Sequence, residues 1–243
     1  MNHSNHSNHS EGRRNFSLTT AGLLGLPLLA VWQHAQALSI ADLTDQEASQ
    51  GLRAALTQGA QVAVSLLGKS GGFLDNEKVR IGLPGGLDSA AKLMRKLGQG
   101  QKVDELISSM NRAAEAAVPM AKDLLTNAVK NMSVQDAKGI LTGGDTSVTD
   151  FFSSKTRAPL STQFLPVVSK AVEKVGLVEQ YNQIAGKASG LGLMKKEDAN
   201  IQQYVTNKTL DGLYLTIGEQ ERQLRQNPAG AASAIVKKVF GAI

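Results

Sequence analysis

The chain has 243 residues, of which 42% are hydrophobic and 19% charged, with a formal net charge of +5 and no cysteine. This composition is globular and excludes disulfides, iron–sulfur clusters, a cysteine nucleophile and a bacterial lipoprotein anchor. The modest positive charge is spread along the chain with few aromatic residues beside it, so we expect no nucleic-acid partner.

The first 37 residues are predicted to be a leader and an export signal peptide. Residues 1–10, MNHSNHSNHS, contain no apolar side chain after Met1 and cannot join a core. A basic pair then precedes an apolar run of about fifteen residues and the A-x-A processing site Ala35-Gln36-Ala37. We expect cleavage after Ala37, a periplasmic location, and a mature chain, residues 38–243, without a membrane span.

The basic pair belongs to the sequence Arg13-Arg14-Asn15-Phe16, which resembles the twin-arginine export motif. The residue before the pair is Gly12, where Ser or Thr is usual, and no lysine follows. The general secretory route and an uncleaved membrane anchor therefore stay open as alternatives.

Removal of the signal also removes all four histidines and the single tryptophan, Trp32. Residues 38–243 then lack both histidine and cysteine, which excludes a Ser-His-Asp triad and zinc or haem ligation by these residue types. We expect no catalytic residue, no metal and no cofactor, although the sequence does not decide whether the protein is an enzyme.

The mature chain is predicted to be all-α, a single domain of about nine helices around a long central one. Thr44-Asp45-Gln46-Glu47 is a capping box that begins the first helix, which ends at Gly68. The next residues are rich in glycine and turn formers, so residues 73–84 are predicted to hold at most one short extended segment or hairpin. A helix over 87–97 follows.

The longest helical pattern spans Val103 to Met132 and is the predicted central helix, with a kink at Pro119. Ser133-Val134-Gln135-Asp136 is a second capping box, which opens a short helix ending at Gly143. Further helices are predicted at 146–156, 161–175, 177–187, 197–226 and 229–240, the last with Asn227 as cap and Pro228 in its first turn.

Four segments, in chain order, resemble a known family: GFLDNEKVRIGLPGGL, MNRAAEAAVPMAKDLLTNAVKNMSVQDAKGIL, YVTNKTLDGLYLTIGEQERQLRQNP and KKVFG. They resemble the bacterial exported proteins grouped as domain of unknown function 4197, over nearly all of the mature chain. The resemblance implies one helical domain behind an export signal in a Gram-negative bacterium. It implies no activity and supplies no catalytic residue.

Two catalytic-looking motifs are interpreted as coincidences. Residues 63–70, AVSLLGKS, match a loose phosphate-loop pattern, but a helix precedes them where a buried strand is required. Ser89-Ala90-Ala91-Lys92 matches the Ser-x-x-Lys motif of penicillin-binding enzymes, but their other motifs and their sheet are missing.

Asn111, Arg112 and Glu115 lie within about one turn of the predicted central helix and allow two interpretations. Arg112 and Glu115 are spaced i,i+3, and Asn111 and Glu115 are spaced i,i+4. If this side faces solvent, the charged pair is an exposed salt bridge worth a fraction of a kcal/mol. If other helices cover it, the three residues form a buried polar cluster or the polar end of a ligand cavity.

Four more residues are candidates for ligand contact. Arg157, together with Arg80, has the chemistry to bind a carboxylate or a lipid phosphate if the fold brings the two together. Tyr204 and Tyr214 mark the aromatic side of a helix, where we expect a pocket.

The segment 211–228 contains the charged residues Glu219, Glu221, Arg222 and Arg225. Helical spacing predicts the ion pairs Glu219–Arg222 and Glu221–Arg225 on a solvated face. In the last helix, apolar residues lie along one side and lysines along the other. We expect this helix to dock on the core, with membrane-surface binding as the alternative.

These observations favour an exported binding or interaction protein that holds an apolar or amphipathic ligand between helices. The partner would be a lipid, a small amphipathic molecule or an envelope protein. One alternative is an enzyme working through carboxylates alone, from among Glu115, Glu219 and Glu221, which needs two carboxyl groups about 5 to 10 Å apart in a cleft. The other is a structural envelope protein without a small ligand.

Overall fold

The computed structural model describes residues 44–84, 87–174, 199–231 and 233–242, and between them residues 178, 179, 181, 182, 185, 190, 192 and 195. The predicted leader, signal peptide and cleavage position lie outside the described residues. So does most of the helix predicted at 177–187. The described residues belong to one compact unit, residues 37–243.

The described part of the chain is all-α, as predicted, and contains no strand. Its α-helices are α1 (Asp45–Leu67), α2 (Asp88–Lys96), α3 (Gly100–Ala117), α4 (Ala121–Lys130), α5 (Val134–Leu141), α6 (Ser147–Glu173), α7 (Ile201–Gln226) and α8 (Ala234–Phe240).

Both predicted capping boxes are present. The hydroxyl of Thr44 accepts from the backbone N–H of Glu47, whose carboxylate accepts from the backbone N–H of Thr44 in return. Ser133 and Asp136 form the same reciprocal pair before α5. Two of the four N–H groups that a helix start leaves unpaired are thereby satisfied.

The predicted long helix is present as two helices, α3 and α4, joined by a 3₁₀ turn at Val118–Met120. Pro119 explains the interruption because proline donates no backbone hydrogen bond and its ring crowds the preceding turn. α3 packs against α2, α6 and α7, and α4 packs against α1 and α6. α7 shares the central position, since it packs against α1, α3 and α6 and buries residues along its whole length.

α6 corrects the predicted division into helices at 146–156 and 161–175. It runs unbroken through Pro159 and Pro166. Buried side chains recur every four residues on both sides of the prolines, so tertiary packing holds the segment in one helix against the local effect of proline. These side chains are Phe152, Thr156, Leu160, Phe164, Val168 and Val172. If α3 and α4 are counted as one interrupted helix, the described residues form seven helices, whereas the sequence predicted about nine.

The C-terminal helix docks on the core, as predicted. Pro228 begins a 3₁₀ turn instead of the predicted helix, and α8 starts later, after Ser233. α8 lies against α1, and a Cβ placed on Gly51 would come within 2.3 Å of the Cγ2 of Val239. Because Gly51 has no side chain, α1 and α8 can approach each other closely.

Residues 73–84 form successive turns as far as Val79 and then irregular backbone with no strand, which agrees with the prediction of at most one short extended segment or hairpin there. Among the described helices, none combines the length and the apolar character needed to cross a membrane.

Candidate functional site

The irregular segment between α1 and α2, residues 68–84, is called here the 68–84 loop. Gly71 has a φ of +77°, and a Cβ there would lie 2.2 Å from the Oδ2 of Asp75, so the turn requires glycine. Asn76 shapes the next turn, since its carbonyl accepts from the backbone N–H groups of Val79 and Arg80. Because the loop has no strand to pair with in the described part of the chain, its other backbone groups need partners elsewhere in the fold.

Asn111 supplies two of these bonds from the middle of α3. Its Oδ1 accepts from the backbone N–H of Ile81 at 2.8 Å, and its Nδ2 donates to the carbonyl of the same residue at 2.8 Å. Nδ2 also donates to the carbonyl of Ile107, one turn earlier in α3. The side chain is fully buried, and it pairs with Ile81 as a neighbouring β-strand would.

Glu115, one turn further along α3, holds the start of the same loop. Its Oε1 accepts from the backbone N–H groups of Phe73 and Leu74 at 3.1 and 3.2 Å. Asn111 and Glu115 therefore form a buried polar cluster, as in the second interpretation of the sequence, but Arg112 is exposed and is not part of it. The polar groups of this cluster are hydrogen-bonded to the protein's own backbone.

α7 lies on the other side of the loop. A Cβ on Gly212 would come within 2.9 Å of the Cε1 of Phe73 and 3.1 Å of the Cβ of Val79, so the loop rests directly on this glycine. The hydroxyl of Tyr204 donates to the carbonyl of Gly82 at 3.0 Å. The loop is thus fixed to α3 and to α7 at once.

A cleft of about 300 Å³, called here the loop–α7 cleft, lies between the fixed loop and the exposed side of α7. Its α7 wall consists of residues that recur at helical spacing. The lining residues are Lys78, Val79, Arg80, Ile81 and Gly82 from the loop, and Tyr204, Lys208, Asp211, Gly212 and Leu215 from α7.

Among the described residues, three cations and one carboxylate line the cleft, which gives it an excess of positive charge. The Nζ of Lys78 lies 2.7 Å from Glu219, and that of Lys208 lies 3.9 Å from Asp211 and 5.9 Å from the centre of the Tyr204 ring. The guanidinium of Arg80 is exposed and forms no ion pair within 4 Å of a described carboxylate. Its charge does reach Asp104 of α3, whose pKa is lowered first by the hydrogen bond from Arg95 and to a smaller extent by Arg80.

Arg157 reaches this region from α6. Its Nη2 lies 2.6 Å from the Oδ1 of Asp211, and its guanidinium lies 5.3 Å from the centre of the Tyr214 ring. The Tyr214 ring is buried, and its hydroxyl lies 2.9 Å from that of Thr156. Burial raises the pKa of the Tyr214 phenol, against the opposing effects of Thr156 and Arg157. Arg157 therefore compensates the carboxylate of Asp211 in the cleft, while Tyr214 is buried and is not among the described lining residues of the cleft.

Arg112 lies apart from the other candidates. It is exposed and lines a different depression, between α3 and the end of α6, with Asp104, Ser109 and Lys174. The exposed Arg112–Glu115 salt bridge of the first interpretation is not present among the described residues, because Glu115 points inward to the loop.

The charged cluster at the end of α7 forms one of its two predicted pairs. Arg225 donates to the carboxylate of Glu221 and to the carbonyl of Ile140 in α5. Glu219 instead pairs with Lys78, and Arg222 lies 3.6 Å from Asp145, so the predicted Glu219–Arg222 pair is wrong. Sequence spacing within one helix could not reveal these partners from other elements.

Glu221 is buried, and its burial raises the pKa of the carboxyl group, although Arg225 acts in the opposite direction. Neither Glu221 nor Glu219 lines the loop–α7 cleft. In the part of the chain that the structure describes, no group of three or more acidic or histidine side chains is placed to hold a metal ion.

Sequence reasoning did not select Lys208, Asp211 or Leu215, although a signal for them was present. Together with Tyr204 they follow one another at steps of four, three and four residues, which places them on one face of a helix. The position of the loop opposite this face follows from contacts distant in the sequence.

The two walls of the cleft come from the first and third of the segments that resemble a known family. The family model described as protein of unknown function, DUF4197, matches residues 42–241. The chain belongs to the DUF4197 family. Searches of curated proteins and of solved structures each found no match. The DUF4197 match covers every described helix, and it assigns no activity to the cleft.

Proposed function

We propose that this DUF4197 protein is an exported binding protein whose loop–α7 cleft holds the anionic head of a small amphipathic molecule. The observation that carries the proposal is the convergence of Lys78, Arg80 and Lys208 on one cleft from two separate elements. Cations gathered in a concave site raise the local concentration of anions and bind carboxylate or phosphate oxygens directly.

The partners of these cations support the same interpretation. Lys78 has Glu219 as a counter-charge, and Asp211 is engaged mainly by Arg157. Arg80 has no ion pair within 4 Å among the described residues, only the more distant charge of Asp104, and Lys208 has only a long ion pair, so these two cations are available to a ligand. A guanidinium suits planar or tetrahedral oxyanions because it donates two parallel hydrogen bonds.

The apolar part of the ligand would lie along Leu215, which is 41% exposed at the edge of the cleft. Val79 and Ile81 supply apolar surface on the opposite wall. Most of their surface is already buried in the core, so the cleft accommodates a short or partly exposed chain and does not enclose a long one.

A periplasmic location of the protein is part of the proposal. It rests on the signal-like pattern of residues 1–37 and places the cleft among envelope lipids and their breakdown products, which carry phosphate or carboxylate heads. Native mass spectrometry of the protein isolated from the periplasm should show an added mass from such a molecule. A clean mass of the bare chain would count heavily against the proposal.

A binding experiment with defined probes tests the cleft itself. Octanoate and octyl phosphate should bind saturably in isothermal titration, whereas octanol, which lacks the charge, and inorganic phosphate, which lacks the chain, should bind much more weakly. Equal affinity for octanol, or no saturable binding of either anion, would contradict the proposal.

Matched variants locate the site. Arg80→Gln and Lys208→Gln should each weaken binding of octyl phosphate about tenfold or more, because each removes a charged hydrogen bond. Lys122→Gln removes an exposed lysine from α4, away from the cleft, and should leave the affinity unchanged.

A further inference from the structure

A second depression, of about 410 Å³, lies between α1 and the C-terminal end of α7 and is called here the amide groove. Five carboxamide side chains line it, those of Gln58, Gln220, Gln223, Gln226 and Asn227. None of its described lining residues is charged, although charged residues make up about a quarter to a third of an ordinary surface.

The carboxamides of the groove are free to bind a ligand. None of the five is hydrogen-bonded to another side chain or to the backbone in the described part of the chain. Each carboxamide offers two donors and one acceptor oxygen. A groove of this kind matches a ligand whose own groups both donate and accept, and its described walls offer no ion pair to an anion or a cation.

Gly59 forms the floor of the groove. A Cβ at this position would lie 3.5 Å from the Cβ of Gln220, so the absence of a side chain keeps the space between α1 and α7 open. Val62 and Leu224 line the same depression and provide apolar surface beside the amides. A ligand with polar edges and a less polar face fits this combination.

Two of the amides follow one another along α7. Gln220 and Gln223 are three residues apart, which separates them by about 4.5 Å along the helix axis, and Asn227 follows at the C-cap of the helix. This step is comparable with the length of one sugar ring. Gln58 also lines an adjoining depression of about 330 Å³ with Thr57 and Gln61, so the polar surface continues across α1 as far as the cations Arg53 and Lys130, which line the same depression.

We propose that the amide groove binds an uncharged glycan chain. Sugar hydroxyls donate and accept hydrogen bonds, as carboxamides do, and the surface extends over more than one sugar unit. A peptide is a poorer match because known peptide grooves use a sheet edge, a large apolar trough or aromatic ridges. None of these features is present along the described walls of the groove.

Titration of the isotope-labelled protein with neutral cello-, malto- and chito-oligosaccharides of increasing length tests the proposal. At least one series should shift the side-chain amide resonances of Gln220 and Gln223 saturably, and the affinity should rise with chain length. No saturable shift at millimolar concentration, or equal shifts with an uncharged Gly-Ser peptide, would overturn the proposal.

Variants separate binding from folding. Gln220→Met combined with Gln223→Met keeps the side-chain length and helix propensity and should weaken the best oligosaccharide about tenfold or more. Gln135→Met changes an exposed glutamine of α5 outside the groove and should have no effect. If both variants bound equally well, the groove would not be the site.

Gly59→Ala gives a second test, in which stability and glycan affinity are expected to change in opposite directions. The added methyl group should stabilise α1 by restricting the unfolded chain, yet it should weaken glycan binding by filling the floor of the groove. Unchanged affinity would contradict the proposed position of the ligand. Octyl phosphate should bind all these variants normally, so failure of the glycan proposal is distinguishable from failure of the loop–α7 cleft.

Discussion

At the scale of single residues, two buried polar side chains of α3 form hydrogen bonds with the backbone of the 68–84 loop. Asn111 satisfies the N–H and the carbonyl of Ile81, and Glu115 satisfies the N–H groups of Phe73 and Leu74. Buried backbone groups without partners are costly, so the loop keeps its shape only while these two side chains are present. They position the cleft and do not line it.

Asn111→Leu should therefore destabilise the protein by about 2–4 kcal/mol, because it leaves two buried peptide groups unpaired. Urea unfolding followed by circular dichroism measures the change. Arg112→Ala, at the neighbouring exposed position, should change the stability by no more than about 0.5 kcal/mol. A small effect of Asn111→Leu would show that the loop finds other partners.

At the scale of elements, glycines decide which segments approach each other. Gly212 allows the 68–84 loop to rest on α7, and Gly51 allows α8 to rest on α1. In a helix interior, glycine is otherwise unfavourable by about 0.5–1 kcal/mol relative to alanine, so these contacts offset a local penalty.

Gly212→Val should displace the loop and destabilise the protein by about 1–3 kcal/mol through overpacking against Phe73 and Val79. Gly139→Ala in α5 is the matched control, since a Cβ there meets nothing within 4 Å. This control should be neutral or slightly stabilising. Thermal unfolding of both variants distinguishes close packing from a general effect of glycine.

The contact between α1 and α8 should respond to acid. The pKa of Glu47 is lowered to about 2, first by its hydrogen bond to Lys238 and then by those to Thr44. A lowered pKa in the folded state gives stability that is present above the unfolded value of 4.5 and is lost as the pH falls toward 2.

Glu47→Gln should therefore make the midpoint of thermal unfolding less dependent on pH between about 5 and 2. Glu105→Gln, which removes an exposed carboxylate from α3, serves as the control and should keep the wild-type slope. Equal slopes for wild type and Glu47→Gln would show that the contact with Lys238 contributes nothing in solution.

At the scale of the whole molecule, one hydrophobic core connects every described helix except α2, whose side chains are described only in part. It includes side chains from α1, α3, α4, α5, α6, α7 and α8 and from the 68–84 loop. Removing any one helix would expose apolar surface on its neighbours, so no subset of helices is expected to fold independently.

Unfolding of the chain from Leu38 onward should accordingly be a single transition. This chain contains no tryptophan, so fluorescence reports on its tyrosines, including the buried Tyr204 and Tyr214 on α7. The midpoints in urea measured by tyrosine fluorescence and by far-ultraviolet circular dichroism should coincide. Two separate midpoints would reveal a subdomain that unfolds on its own.

Local sequence determined the helical class, both capping boxes, the interruption at Pro119 and the family. These features depend on residues close together in the chain, such as Thr44 and Glu47, whose hydrogen bonds form within a single turn. The pairing of Glu221 with Arg225 was predictable for the same reason, since the partners lie one helical turn apart.

The tertiary structure decided the rest. Only packing shows that α6 continues through two prolines, that Asn111 binds Ile81 and that Lys78 pairs with Glu219 across the fold. Such contacts join residues far apart in sequence, and their free energy depends on burial that no local pattern records. The loop–α7 cleft and the amide groove arise in this way, because each lies between elements that only the common core brings together.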